Sequence, residues 1–464
     1  MSVTRSRPSP SRPERLRTAV ESGPPPDAPG KYFWQVLADQ FRPEPKVYRR
    51  LVVALAALMV VFSVAPAGNS VLGWQNKDYD LWYLTGQKFL HGEPVYPTDH
   101  RPFPFMYPPA AGALMAVASV LGRHGFVALL LAVQSAAWVG SILLSVRLAT
   151  GRALRQHPLL YVVPTLWVIP FVHDMYLLGQ PNLLLLWLML AAFACLRGAR
   201  PWSAGALVGL AAGIKAFPVL ALGYFVYRRH WKATAATVVA LAALLLVLPM
   251  PFRGPAGARS DLVVWTRGMV LKYDEGQIAQ RPERCYSFKN QSLIAVANRL
   301  LRDVPADGEA KDPWRVNLAS LDFRTVNKVA AAVGLGLCLF YVAAMPWRRP
   351  GDDQDGGRVY ATETAMLLLL VLVFSPFAFN YFYVWLIYPL TVLLSRQLDA
   401  PAGTRAKRVL GAGLAAALAV YATTAFSLRG AQAYGSLLAV DLVLLGLLGW
   451  LLVHDRLAAR EPVA

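Results

Sequence analysis

The sequence is short of charge, of acid in particular, and of cysteine. Only 16% of its 464 residues are Asp, Glu, Lys or Arg, against roughly 25% in soluble domains, too few to clothe an ordinary water-facing surface. Acids number 27 against 46 Lys and Arg, leaving a formal charge of +19. Three cysteines, Cys195, Cys285 and Cys338, are too few and too scattered for a disulfide framework or a zinc site. Cys195 and Cys338 fall in apolar runs and read as small core side chains, whereas Cys285 falls in a polar stretch. The sequence has no glycine-rich nucleotide loop, no ATPase motif and no His/Cys/Asp cluster of metal-ligand spacing. No metal and no cofactor are therefore expected. No soluble stretch of domain size could hold a nucleotide-activated substrate. A signal peptide is not expected, because the first apolar run begins near Leu51.

What fills the chain is hydrophobic: 56% of it, with a mean hydropathy of +0.40. Apolar runs recur at 51–67, 106–121, 125–147, 157–173, 182–196, 203–226, 233–251, 326–346, 362–378, 380–396, 408–427 and 434–453. A span needs about 20 apolar residues, and most of these runs come near it. The pattern predicts an all-α polytopic membrane protein with about ten to twelve transmembrane or re-entrant helices. Two long polar loops interrupt it, at 68–105 and 252–325. Residues 1–49 read as a tail, disordered where Pro, Ser and Arg dominate (1–30), followed by an interfacial helix at 31–50 carrying Tyr32, Phe33 and Trp34. Residues 50–453 form the membrane domain and 454–464 a second tail.

The positive charge looks at first like a nucleic-acid footprint, but its position says otherwise. The basic residues collect in short segments between apolar runs, as at Arg228-Arg229-His230-Trp231-Lys232, Arg348-Arg349, Arg405 to Arg408 and Arg456 to Arg460. That is the positive-inside pattern of a multi-pass protein of the cytoplasmic membrane. It puts both termini in the cytoplasm and both long loops outside. The middle of the chain resists this count. Arg197 to Arg200 and Arg228-Arg229 both belong inside, yet one run, 203–226, separates them. A re-entrant pair of half-helices broken around Gly213, Lys215 and Pro218 would resolve the conflict.

Candidate chemistry lies mostly on the external side. Asp78 and Asp80 open a helix-compatible stretch that ends at His91-Gly92. A carboxylate at the mouth of a membrane bundle can act as a general base towards a sugar hydroxyl; an N-cap and a solvated acid would read the same. Lys215 is an intramembrane lysine, suited to a phosphate or else snorkelling to the interface. Gln180 and Asn182 open the next apolar run and can bind sugar hydroxyls or an anion, or cap a turn. His173 and Asp174 share their face. Lys289-Asn290-Gln291-Ser292 begins an amphipathic helix through Leu293, Val296 and Leu300, with Arg299 on its other side, and Asn290 also starts a formal glycosylation sequon. Ser375-Pro376 to Tyr383 reads as an aromatic belt or as a site for a lipid-linked sugar.

Taken together, the pattern from Asp78 through Tyr83, Gly92 and Tyr96, then Tyr107-Pro108-Pro109, Gly179-Gln180-Pro181-Asn182, Ile214-Lys215, Asn290-Gln291-Ser292 and Ser375-Pro376, resembles the GT-C membrane glycosyltransferases and, within them, glycosyltransferase family 87. The resemblance covers roughly residues 50–400 and implies a GT-C-like bundle. It implies a donor sugar on polyprenyl phosphate, taken from the outer leaflet, and an envelope glycolipid or glycan acceptor. The catalytic base then falls on Asp78, with Asp80 in reserve. Lys215, Gln180, Asn182, Arg299 and Tyr381 become candidates at the donor phosphate, and Tyr83, Tyr107, Asn290, Gln291, His173 and Asp174 candidates in the acceptor or loop site. One departure stands out. Relatives often carry a Ser-Pro-x-Ser-Trp-x-His-His pattern, and here the histidine pair is Tyr381-Phe382. Two other classes compete: a transporter or flippase of a lipid-linked glycan, although no internal repeat is evident, and a non-catalytic assembly partner.

Overall fold

A computed structural model describes residues 45–97, 104–152, 156–281, 284–307, 314–346 and 354–458. The expected disordered tail, most of the interfacial helix, Arg348-Arg349 and the end of the C-terminal tail lie outside these residues. Among the described residues the regular structure is helical, with no strand beyond isolated bridges in the second long loop, as the runs of apolar residues predict. Among the described residues six helices are long and apolar enough to cross a membrane: α1 (Pro45–Val71), α4 (Gly122–Thr150), α5 (Leu159–Leu178), α12 (Phe323–Ala344), most of α13 (Gln354–Phe374) and α17 (Ser436–Ala458). Residues 45–50, expected at an interface, are instead the first turns of α1.

The shorter helices explain why spans do not count cleanly along the sequence. α2 (Lys77–Leu90) is the helix foreseen after Asp78, and it packs on α3 (Pro109–Ser119). At 11 residues, α3 is about 16 Å long and cannot cross. α6 (Asn182–Arg197) follows α5 through the turn at Gly179. Gly179 has φ +79°, and a Cβ there would sit 2.7 Å from the Tyr79 ring, so only glycine fits this corner.

The conflict between the two basic clusters resolves as a hairpin. α7 (Pro201–Ile214) ends at Lys215, which is extended at φ −150° and ψ 121°, and the chain resumes as a 3-10 turn and α8 (Ala221–Tyr227). Pro218 disfavours a continuous helix here. Arg197 lies against Gly357 near the start of α13. Arg228 reaches the same end of that helix, where its Nε donates to Glu363 at 3.1 Å and a terminal nitrogen donates to the Pro346 carbonyl at 2.9 Å. Both clusters therefore share one face, here the basic face, with Lys215 at the far tip of the hairpin. The Arg228–Glu363 pair is buried at both ends. Removing one partner strands the other charge, so Glu363→Ala is expected to cost about 3–5 kcal/mol, read as a large fall in the thermal midpoint of the detergent-solubilised protein.

The second long loop differs from expectation in its first third. α9 (Trp231–Ala242) runs on to Val247, turns through 98°, and continues as α10 (Met250–Trp265) to Val270. Pro249 lies at the bend, and the Arg253–Asp261 ion pair at 2.8 Å gives α10 a charged side. Further on, α11 (Leu293–Leu301) is the amphipathic helix foreseen there, capped by the Ser292 hydroxyl. The remaining elements are a 3-10 stretch Asn380–Leu386 leading into α14 (Ile387–Asp399), then α15 (Arg405–Phe426) and α16 (Leu428–Ala433). α17 ends on the basic face, where Arg456 donates to the Ala343 carbonyl at 3.0 Å and Arg396 holds Asp455 at 2.8 Å.

Candidate functional site

Opposite the basic face, four separate segments converge on one carboxylate. Asp78 sits in the first turn of α2, half-buried, and accepts a hydrogen bond from the Gln180 amide nitrogen. The Gln180 oxygen takes two donors, the Tyr107 hydroxyl at 3.0 Å and Lys215 Nζ at 3.1 Å. Lys215 also donates to Asn182 Oδ1 at 3.0 Å, and Asn182 Nδ2 donates to the Tyr381 carbonyl at 3.0 Å. This network fixes the Gln180 amide one way round: nitrogen towards the acid, oxygen towards the cation. Lys215 thus lies at the far end of α6 from Arg197, away from the basic face.

Aromatic rings enclose the ammonium. Lys215 Nζ lies 4.1 Å from the Phe382 ring centre, 5.1 Å from Tyr381, 5.5 Å from Tyr107 and 5.9 Å from Phe217, all within cation–π range. Tyr381 and Phe382 stand at the two positions where the family resemblance implies a histidine pair. In this chain those positions hold a lysine by their π faces. A cavity of about 530 Å³ opens from this point. Tyr107, Lys215, Tyr381 and Phe382 line it together, Leu220, Trp265, Met269, Phe374 and Phe377 make much of the rest of the wall apolar, and Lys272 adds a second cation to the lining. A cationic end on an apolar trough suits an amphiphile with an anionic head.

Burial pushes the Asp78 carboxyl above its usual range, against the Gln180 hydrogen bond and the charges of Lys215, Arg281 and Arg284. Arg281 and Arg284 escaped the sequence reading, since nothing local marks two arginines in a polar loop. Arg281 is half-buried, reaches the Pro104 carbonyl at 3.5 Å, and its Nε has no hydrogen-bond partner among the described residues. Because these cations favour the ionised acid, Arg281→Gln is expected to raise the Asp78 pKa further. A carboxylate can take a proton only when ionised, so for Asp78 in the role of a general base the acid limb of the kcat/KM profile should move to higher pH in that variant. An unmoved limb would separate Arg281 from Asp78.

Asp80 is placed differently. Arg123 Nε donates to it at 2.8 Å and the Asn76 backbone N–H at 2.7 Å. Burial opposes its charge, but these bonds outweigh it and hold the carboxyl below its usual range. Asp80 ties α2 to α4 and lies outside the Asp78 network. Tyr83 packs edge-on to Phe126, 5.7 Å away, and stays outside the cluster. Trp82, four residues on from Asp78 and so on its helix face, occupies the site instead: its ring lies 4.1 Å from Tyr107 and its Nε1 donates to the Gly179 carbonyl at 3.1 Å. A reading by helical period would have found it. His173 and Asp174 lie 3.7 Å apart and half-exposed, and Asp174 meets the Asn380 amide at 3.4 Å. That places them beside the Tyr381 segment but outside the Asp78 network.

Arg299, expected beside the donor phosphate, is instead fully buried and spent on backbone carbonyls. It donates to Ala433, Ser287 and Asn290 at 2.7, 2.8 and 3.0 Å, and to Gln432 and Tyr286 at 3.0 and 3.2 Å. Asn290 and Gln291 are likewise fully buried. Asn290 bridges Cys285, Pro376 and Ala378, while Gln291 links Phe288, Gln432 and Leu437. These residues staple the second loop to the segment after α13 and to α16; none of them lines the cavity beside Lys215, and Asn290, fully buried, is not available as a sequon. Arg299→Met would strand several carbonyls at about 1–3 kcal/mol each. The expected result is a lower thermal midpoint with unchanged donor KM in the folded fraction.

A chain whose described residues form long apolar helices and no strand, with a polar network at one end of the bundle, is a polytopic membrane protein. Residues 105–376 match the family profile of glycosyltransferase family 87, and the chain belongs to that family. It is 28% identical over 407 residues to the polyprenol-phosphate-mannose-dependent alpha-(1-2)-phosphatidylinositol pentamannoside mannosyltransferase of Mycolicibacterium smegmatis, covering 85% of this chain and 84% of the relative. It is 30% identical over 320 residues to the protein of that name from Mycobacterium tuberculosis, covering 68% of this chain and 63% of the relative. A polyprenol-phosphate-mannose-dependent alpha-(1-2)-phosphatidylinositol mannoside mannosyltransferase of Mycobacterium tuberculosis is 30% identical over 191 residues, 36% of this chain and 44% of the relative. No solved structure matches. The chain is thus a membrane glycosyltransferase, not a transporter. Asp78 precedes the stretch matched by the family profile.

Proposed function

We propose that the protein moves a hexose, mannose in the first place, from a polyprenyl-phosphate donor to an envelope glycolipid on the outer face of the cytoplasmic membrane. The observation that carries this reading is the link from Asp78 through Gln180 to Lys215 at the end of an apolar cavity of about 530 Å³. The printed names of the relatives support the donor and the lipid acceptor. The positive-inside rule supports a cytoplasmic basic face and, with it, an external Asp78.

In this scheme the polyprenyl chain lies along the apolar wall and its phosphate meets Lys215 and Arg281. Asp78 takes the proton of an acceptor hydroxyl, whose oxygen attacks the anomeric carbon. The bond from that carbon to the phosphate oxygen breaks, and its electron pair leaves on the phosphate. Fixed cations stabilise the growing negative charge without reorganisation. A single base suffices for a one-step inverting transfer.

The test is transfer by the purified protein in lipid, given radiolabelled polyprenyl-phosphate mannose and a host glycolipid extract. A new labelled glycolipid is expected. Absence of product with mannose, arabinose and glucose donors alike would sink the reading; product with a different sugar would correct the donor.

A further inference from the structure

A second polar cavity lies at the other end of the bundle. It measures about 440 Å³ and is lined by Arg147, Arg197 and Arg200 together with the last turns of α4 and α6. No Asp or Glu is among its described lining residues. Arg123, near the start of α4, pairs with Asp80. Arg147 is 24 positions further on, about 36 Å along a helix, a little more than the hydrocarbon thickness of a bilayer. The cavity therefore sits at the opposite membrane interface from Asp78, at the depth of lipid headgroups.

Basic residues in the last turn of a helix complement its dipole, and the positive-inside rule asks for arginine on this face. Either accounts for single arginines. Neither accounts for three converging on one cavity with no acid in its lining. Nor does either account for how Arg197 is held. Its guanidinium is wedged between two glycine backbones: a Cβ on Gly151 would lie 3.1 Å from it and one on Gly357 2.3 Å. It also donates to the Leu148 carbonyl at 3.4 Å. Among the described residues, no ion pair is formed by Arg147, Arg197 or Arg200.

The geometry points to a binding site for a phosphate group at this cavity, supplied by the headgroup of an anionic membrane lipid in the leaflet opposite the reaction. Guanidinium forks match phosphate oxygens in pairs, and basic pockets between membrane helices are suited to anionic headgroups. The site is independent of the donor site, since α6 separates them along its whole length: Asn182 touches Lys215 at one end and Arg197 lines this cavity at the other.

The experiment uses the full-length protein in nanodiscs of phosphatidylcholine with and without phosphatidylglycerol, followed by native mass spectrometry of retained lipid and by thermal unfolding. Arg147 and Arg200 are exposed, so R147Q/R200Q leaves the wedged Arg197 in place and should fold. R405Q/R408Q removes two exposed arginines elsewhere on the basic face and serves as the control. Wild type and control are expected to retain phosphatidylglycerol and to gain thermal stability from it. R147Q/R200Q is expected to retain about tenfold less, a loss of about 1.4 kcal/mol in binding. Equal losses in both variants, or no preference for phosphatidylglycerol over phosphatidylcholine, would overturn the site. Equal stabilisation of the detergent-solubilised protein by inorganic phosphate, lost in R147Q/R200Q, would overturn the lipid as the source and leave a soluble anion in its place.

Discussion

Asp78→Asn is expected to lower transfer by about 10²–10⁴-fold while leaving the protein folded. The substitution keeps shape, and the asparagine oxygen still accepts the Gln180 amide that now reaches the carboxylate. What it removes is the capacity to take a proton. Loss of a base acts on the transition state alone, so kcat and kcat/KM should fall together, with donor KM unchanged. Initial rates with labelled donor measure this. Asp80→Asn is the comparison: its carboxylate is bound to Arg123 at 2.8 Å, so the expected effect is a lower thermal midpoint with transfer largely kept. Full activity in the Asp78 variant and none in the Asp80 variant would reverse the assignment.

The second large effect is expected at Lys215. Lys215→Met preserves length and apolar volume but removes the cation at the head of the cavity. Removing one preorganised group that faces developing charge costs about 10²–10³ in rate. Here a further cost falls on the ground state, because Asn182 Oδ1 loses a donor and Gln180 Oε1 keeps only Tyr107. Donor KM should therefore rise as kcat falls. Arginine is not expected to rescue: its planar, five-donor head must fit among rings spaced for an ammonium, the nearest centred 4.1 Å away. In a double-mutant cycle, Lys215→Met and Asp78→Asn should be non-additive, since Gln180 joins them. Strict additivity of the two losses would argue against one linked site.

Much of this was legible in residue order. The runs of apolar residues dictated helices, and the charge between them dictated which ends share a face. Asp78, Gln180, Asn182, Lys215 and Tyr107 were each visible as polar groups next to apolar runs. Arg281 was not, because an arginine in a polar loop carries no local signal, and only the return of that loop to Pro104 and the Asp78 cluster gives it one. Arg299 misled for the opposite reason. A basic residue on an amphipathic helix reads as a solvated or ligand-facing charge, whereas the chain folds five carbonyls around it.

The sequence by itself determined the solvent of this protein, the hydrocarbon of a bilayer, and with it the helical class, because in lipid every backbone polar group must be satisfied within its own segment. It determined too that an acid, a lysine and two amides sit at ends of apolar segments. Only the tertiary structure decided which of those groups meet. Asp78, Gln180 and Lys215 are separated by 102 and 35 positions, and hydrophobic patterning is silent on contacts at such distance. The hairpin that turns back at Lys215 brings them together. The same packing leaves Asp80 bound to an arginine and Asp78 facing a cation across an amide, so two like carboxylates one helical half-turn apart hold opposite environments.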